Sequence, residues 1–241
     1  MKPRQIVAMG GGGFSMEPRN SLLDDFILKL SGKRRPKICF LATASGDAEG
    51  YIERFYKAIS GRKCEASHLG LFSRTHVDPA KFLLGQDVIY VGGGNTTNML
   101  AIWRIHGVDR ALRVAWRQGI ILAGISAGAN CWFEACSTDS FGPLAPLRDG
   151  LGLLPGSVCP HYDGEKKRRP TLLRFVANGQ LPDGFALDDY AAAHFVGRRF
   201  VEAVSSRSQA KVYRVIRIGR RVVEEVVPTR FLGVASGRRV G

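Results

Sequence analysis

Apolar residues along the chain fall into two kinds of run: short unbroken ones that end in glycine, and longer ones spaced at helical intervals. Residues 5–9, Gln-Ile-Val-Ala-Met, run straight into Gly10-Gly11-Gly12-Gly13 and predict a buried strand. Residues 20–31 space their apolar side chains helically and stop at Gly32, which predicts the first crossover helix. A strand over 37–42 follows, then a helix over 47–60 with Ile52, Phe55, Tyr56 and Ile59 on one face, and a weaker strand over 64–71. Asp78-Pro79 opens a short helix with proline at its first position. A strand over 87–91 meets Gly92-Gly93-Gly94-Asn95, helices cover 96–105 and 108–118, and Ile120 to Ala123 form another short strand. This alternation predicts an α/β fold with a doubly wound, mostly parallel sheet, helices on both faces. Ligands bind such sheets beyond the carboxyl ends of the strands, where the loops at Gly10, Gly92 and Ser126 would gather.

The later chain predicts a helix from Ala127 to Ala135, a loop over 137–143 and an apolar turn from Gly150 to Pro155. A strand over 157–159 ends at Pro160-His161-Tyr162-Asp163, a helix opens at Pro170, and an apolar strand ends at Asp188-Asp189-Tyr190. Residues 190–226 alternate in short β segments with hairpin turns at Gly197-Arg198-Arg199 and Gly219-Arg220-Arg221, an antiparallel appendage to the sheet. No repeat or linker interrupts the chain, so one domain over residues 1–241 is expected.

The candidate chemistry centres on Gly124-Ile125-Ser126-Ala127-Gly128. Small residues on both sides of a serine, between a buried strand and a helix, form the pattern of a nucleophile elbow. The same residues also suit an ordinary strand-to-helix turn with serine as N-cap. His161 follows one βα unit later on a rigid Pro-His step, as a general base requires, and an acid after residue 187 is placed to hold its other nitrogen. The Gly92-Gly93-Gly94 run can point backbone N–H groups at the oxygen of an attacked carbonyl, or can serve only as a tight loop.

The 241 residues carry a net charge of +14, which raises nucleic acid as a partner. The basic residues are scattered in small clumps without an aromatic-interleaved stripe, so no dedicated nucleic-acid partner is expected. The G-x-G-x-x-G spacing fails after Gly10, since its third glycine position falls on Ser15 or Met16, and no nucleotide cofactor is expected. Five cysteines without paired C-x-x-C spacing predict reduced, mostly buried thiols and no structural zinc. The opening apolar segment is too short for a signal-peptide core and no run reaches bilayer length, which predicts a soluble cytoplasmic protein without a membrane partner.

Several stretches together resemble one family: IVAMGGGGFS at 6–15, FLATASGD at 40–47, VGGGNTTNML at 91–100, GISAGANCWFE at 124–134, TDS at 138–140, CPHYD at 159–163 and LDDYAAAHF at 187–195. In order and spacing the chain resembles the S51 serine peptidases, the group of dipeptidase E (α-aspartyl dipeptidase) and cyanophycinase. The resemblance implies a flavodoxin-like fold related to class I glutamine amidotransferases. It implies Ser126 as nucleophile, His161 as base, and Gly93, Gly94 and Ala127 as the oxyanion hole. For the acid it offers Asp189, with Asp139 as the alternative. Gly12, Asn95 and Arg169 are the expected substrate contacts, with Arg168 and Arg174 as other candidates for gripping an acidic side chain. The implied activity is hydrolysis of short peptides, dipeptides with amino-terminal aspartate foremost, without metal or cofactor, by a monomer or homodimer. The alternatives are a cyanophycinase-like isopeptidase, an α/β-hydrolase-type esterase, and a non-catalytic binding protein on the same scaffold.

Overall fold

The computed structural model describes residues 2–73, 76–219 and 221–234. The first half alternates as expected: β1 (Gln5–Met9), α1 (Gly13–Met16), α2 (Leu22–Lys29), β2 (Lys37–Leu41), α3 (Glu49–Ile59), β3 (Glu65–His68), α4 (Pro79–Leu84) and β4 (Val88–Val91). It continues through α5 (Thr96–His106), α6 (Val108–Arg117), β5 (Ile121–Ile125) and α7 (Ala127–Asn130). Strands β3, β2, β4, β5 and β1 pair in that order, all parallel.

Both faces of this sheet are buried, and the strands alternate between them with a period of two. Val7, Met9, Phe40, Tyr90 and Ile125 face α1 to α3, whose Phe14, Leu23, Ile27 and Phe55 complete one core. Ile6, Ala8, Leu41, Val91 and Leu122 face the other way, toward Met99, Trp103, Leu112 and Trp116 of α5 and α6. In α6, Val108, Ala111, Leu112, Ala115 and Trp116 are buried, the three-and-four spacing that makes one apolar stripe. Asp78 caps α4 by accepting the Lys81 N–H at 2.9 Å, with Pro79 at the first helical position. Helix α3 is rotated from the expected face: Tyr51, Phe55 and Ile59 are buried, while Tyr56 turns outward.

The second half departs from the expected single sheet with an appendage. Helix α7 is four residues long instead of reaching Ala135, and the chain turns at once into β6 (Phe133–Thr138), so Ser137 and Thr138 belong to a strand. Then come β7 (Ala145–Leu147), β8 (Leu154–Cys159), α8 (Arg168–Ala177), β9 (Gly184–Leu187), β10 (Ala191–Val196), β11 (Arg199–Ser205), β12 (Val212–Ile218), β13 (Arg221–Val227) and β14 (Thr229–Phe231). Strands β10, β11 and β14 extend the first sheet beyond β1, making it eight-stranded, and β10 runs antiparallel to β1. The others form a second, six-stranded sheet in the order β13-β12-β9-β8-β6-β7, with β6, β8 and β9 parallel.

Phe133, Leu154, Phe185 and Leu187 of the second sheet enter the same core as Leu122 and Trp103, so the two sheets share their apolar interior. Helix α8 covers the second sheet's other side, packing Leu172, Phe175 and Val176 against Cys159, Ala186 and Val215. The β10–β11 hairpin closes at Gly197 as expected, and β12 and β13 pair up to Ile218 and Arg221, with Arg220 outside the described residues. All five cysteines are free thiols, four of them buried.

Candidate active site

Ser126 stands where β5 gives way to α7, with φ 56° and ψ −112°, a region costly for any residue with a Cβ. The strain persists because the surrounding backbone leaves no alternative. A Cβ at Gly124 would lie 2.2 Å from the Gly128 carbonyl oxygen, and one at Gly128 would lie 2.4 Å from the Val91 oxygen. Strand and helix therefore meet backbone to backbone, which only glycine permits. Gly93 completes the enclosure, since a Cβ there would stand 3.3 Å from the serine Cβ. Ser126 Oγ makes no hydrogen bond among the described residues, to His161 or to the helix it precedes.

The three expected oxyanion donors differ in availability. The Gly93 N–H already donates to Tyr51 Oη at 3.2 Å, and that hydroxyl also pairs with Ser15 Oγ at 2.8 Å. The N–H groups of Gly94 and Ala127 have no partner among the described residues. Gly94 is held at φ 137°, where its Cβ would strike the Ala44 carbonyl at 2.2 Å.

His161 follows β8 with φ 53°, and its Nδ1 lies 2.6 Å from Asp189 Oδ1. Asp189 is pinned from several sides. Its N–H donates to Asp163 Oδ1 at 2.7 Å, and its carboxylate fills space that a Cβ at Gly11 or Gly164 would occupy, 2.0 and 2.1 Å from its oxygens. Neighbouring Asp188 turns inward, accepting the Lys211 N–H at 2.9 Å. Burial pushes its carboxyl up to about 6, against that hydrogen bond and reinforced by the charges of Asp163 and Asp189.

The end of β1 ties both parts together. Met9 O accepts the Ser126 N–H at 3.1 Å, the Gly10 N–H donates to Ala191 O at 3.0 Å, and Gly11 O accepts the Tyr190 N–H at 3.1 Å. Ser126 thus leaves one neighbour of β1 and Asp189 precedes the other, which sets them about two strand spacings, roughly 10 Å, apart. His161 is borne by the second sheet, where the Tyr162 N–H donates to Leu187 O at 3.1 Å.

The remaining candidates lie elsewhere or are committed. Asp139 faces Arg168 at 3.5 Å and has no bond to His161. Asn95 caps α5 by accepting the Asn98 N–H at 2.9 Å, and its Nδ2 donates to Ser140 O at 3.0 Å. Arg169 is held by Glu224 at 3.0 Å, and buried Arg168 by Glu165 at 2.8 Å, while Arg174 lies beside the Phe175 ring. Gly12 sits at φ 102°, which disfavours a side chain, and a Cβ there would stand 3.1 Å from the Leu23 side chain and from the Tyr190 Cα.

Two residues without a local sequence signal also belong to this region. One is Tyr51, through Gly93. The other is Arg207, whose Nε donates to buried Glu17 at 2.9 Å while its guanidinium lies 3.6 Å over the Tyr190 ring, next to Asp189.

The fold and this constellation define a class: the model of peptidase family S51 matches residues 6–203, and the chain belongs to that family. Among its relatives is an uncharacterized peptidase, YgaJ, of Bacillus subtilis, 53% identical over 95% of this chain and 100% of the relative. Peptidase E of Streptomyces coelicolor is 31% identical, over 52% of this chain and 51% of its own length. Among solved structures, a peptidase from an acI-B1 Actinobacterium superposes with a TM-score of 0.69 over 92% of this chain and 95% of the other at 16% identity, a likeness of fold. A putative peptidase E protein from Listeria monocytogenes gives 0.61 over 83% and 97% at 19% identity. Among the described residues no helix is long and apolar enough to cross a membrane.

Proposed function

We propose that the protein is a serine peptidase that hydrolyses short peptides, dipeptides with amino-terminal aspartate foremost, through Ser126, His161 and Asp189. The observation that carries this reading is the 2.6 Å contact between His161 Nδ1 and Asp189 Oδ1, on a turn bonded to the same end of β1 that holds Ser126. A carboxylate on Nδ1 fixes the tautomer that leaves Nε2 with its lone pair free, the form a general base needs. Ser126 Oγ attacks the peptide carbonyl carbon as its proton passes to Nε2. The oxyanion is held by the Gly94 and Ala127 N–H groups, and Gly93, whose N–H is taken by Tyr51, supplies space beside the serine. The imidazolium then protonates the leaving amine, and water releases the acyl group from the serine by the reverse proton path.

The preference for an acidic residue rests on Arg207. Its guanidinium is oriented by buried Glu17 and the Tyr190 ring, beside the acid of the triad, and keeps its Nη groups for a substrate carboxylate. The test is a panel of Asp-X, Glu-X, Asn-X and β-aspartyl dipeptides, with p-nitrophenyl esters alongside. Asp-X should be cleaved fastest, Ser126→Ala should lose at least about 10⁴-fold in turnover, and a fluorophosphonate should label the wild type at Ser126 only. Arg207→Ala should raise KM for Asp-X more than for Asn-X. Cleavage of esters alone would point to an esterase, and absence of labelling in the folded protein would point to a binding protein.

A further inference from the structure

The opposite end of the first sheet's strands carries a feature that the peptidase reading leaves unused. Residues 2–4 lead into β1, Arg117 ends α6 just before β5, and Gly197-Arg198-Arg199 turn the chain from β10 into β11. Because β10 is antiparallel to β1, with Val196 opposite Gln5, all three segments meet at the amino ends of the parallel strands. The loops around Ser126 and Asp189 lie at the carboxyl ends, about 16 Å away along the five residues of β1.

Between these segments is a concavity of about 670 Å³, within the range that holds small ligands. Lys2, Arg4, Arg117, Arg198 and Arg199 line it, and no acidic residue does. Elsewhere many arginines have a carboxylate close by: Arg62 and Asp25 at 2.9 Å, Arg104 and Asp149 at 2.7 Å, Arg230 and Glu202 at 2.7 Å. Here, among the described residues, Arg4, Arg117 and Arg199 form no ion pair, Lys2 has only the field of Asp87, which Lys33 already holds at 2.7 Å, and Arg198 reaches Glu134 at 3.5 Å while donating to the Leu153 and Gly152 carbonyls at 3.2 Å.

The backbone that carries these cations is fixed. Arg4 O accepts the Gly197 N–H at 2.7 Å, Lys2 packs against Gly119, whose Cβ would meet its own at 2.6 Å, and the Arg4 guanidinium lies 4.7 Å over the Trp116 ring. Like charges that outnumber their counter-charges repel one another, and an anion carrying several linked charges relieves that repulsion in a single binding event. A lone carboxylate would leave most of the cations uncompensated.

A second cavity of about 510 Å³ adjoins the first, sharing Arg198 and Arg199. Phe185, Phe200 and Arg214 line it, and its carboxylate, Asp183, already accepts the Arg217 N–H at 2.8 Å. Arg214 lies 5.6 Å over the Phe185 ring, a flat cationic surface on which an aromatic base can stack.

We propose that the concavity formed by Lys2, Arg4, Arg117, Arg198 and Arg199 binds a chain of linked phosphates, as in a nucleoside triphosphate or free polyphosphate, at a site separate from the peptidase centre. Isothermal titration calorimetry with inorganic tripolyphosphate and with ATP, without added metal, tests this at about 50 and about 200 mM salt. Saturable binding of one ligand per chain is expected, weaker at the higher salt. The double variant Arg4→Glu/Arg199→Glu should bind both ligands at least about tenfold more weakly, and Lys57→Glu on α3 should leave binding unchanged. Arg117→Gln is the milder variant if the double one does not fold.

The arms also separate the two sources. ATP bound more tightly than tripolyphosphate, with the excess lost in Arg214→Glu, assigns a nucleotide. Equal binding, indifferent to Arg214→Glu, assigns free polyphosphate. The proposal is overturned by absence of saturable binding to either ligand or by binding that the charge reversals leave intact. Tighter binding of a mixed-sequence oligonucleotide, lost in the same double variant, also overturns it and makes this a nucleic-acid surface.

Discussion

The serine and histidine sides of the site are held in place by different forces. Around Ser126 the constraint is volume: Gly124 and Gly128 let backbones touch, Gly93 leaves room for the serine Cβ, and the hydroxyl itself is unbonded among the described residues. Around His161 the constraint is charge: Asp189 holds the imidazole, and the Asp189 backbone is held by Asp163. Added atoms on the serine side therefore meet fixed backbone, whereas on the histidine side they meet a side chain that can move and whose charge can be removed. The largest test of that difference is Asp189→Asn, which keeps the shape and removes the charge. Turnover should fall by about 10⁴-fold while the thermal midpoint changes little, because the amide turns a donor toward Nδ1 and no longer stabilises the imidazolium. Asp139→Asn removes a carboxylate that faces Arg168 at 3.5 Å and is more than half exposed, so turnover should stay within about threefold of wild type. Equal losses in the two variants, measured on the same Asp-X substrate, would end the assignment of Asp189.

Adding a methyl group sharpens the comparison from the other direction. At Gly164 the new Cβ would lie 2.1 Å from Asp189 Oδ2, a side-chain atom that can rotate away, so Gly164→Ala should fold and misplace the carboxylate. Turnover is expected to drop on the order of 10²-fold, the cost of a displacement near 1 Å at a reacting centre. At Gly128 the new Cβ would lie 2.4 Å from the Val91 carbonyl oxygen, backbone in the middle of the sheet. That variant should lose on the order of 3 kcal/mol of stability, read as a lower urea midpoint, with activity following the folded fraction. If Gly128→Ala melts like wild type, the turn at Ser126 is looser than its backbone contacts require.

What the sequence reveals follows the same division. Strands β1, β2, β4 and β5 are legible because each is a short apolar run ending near a glycine or a small residue, and the turn at Ser126 is legible because close backbone packing demands small residues at fixed spacing. His161 and Asp189 are legible as polar residues directly after apolar strands. That these strands belong to a second sheet is not legible, because pairing order is a long-range property. The helix expected to reach Ala135 fails for a local reason: Ala127 to Phe133 are buried throughout, so no polar face marks a helical period, and the chain turns into β6. Tyr51 was hidden by its neighbours, since Tyr56 competes with it for the apolar stripe of α3 and only tertiary packing chooses between them. Arg207 lies between β11 and β12, and only the folded chain brings it to Glu17 and Tyr190.

The smallest effect concerns Asp188, the inward-turned neighbour of Asp189, the acid of the proposed triad. Burial raises its carboxyl from the ordinary 3.8 to about 6, so between these values the folded chain holds a proton that the unfolded chain has released. Stability contributed by this group is therefore greatest below about pH 4 and declines as pH rises to about 6, above which the buried charge is fully present. Asp188→Asn keeps an oxygen for the Lys211 N–H and removes the charge. A shift of this size corresponds to roughly 3 kcal/mol, and partial solvent screening reduces the expected gain at pH 7 to about 1 kcal/mol. Urea unfolding at pH 4 and pH 7 reads both quantities: the variant should gain at pH 7, match wild type near pH 4, and lose that part of the slope between them. Charge on the histidine side then appears as two opposed requirements, one carboxylate whose charge the proposed chemistry uses beside the imidazole and one next to it whose ionisation the fold resists. If Asp188→Asn instead weakens the protein at pH 7, the second carboxylate also supports the turn through its charge, and the contrast between the two residues disappears.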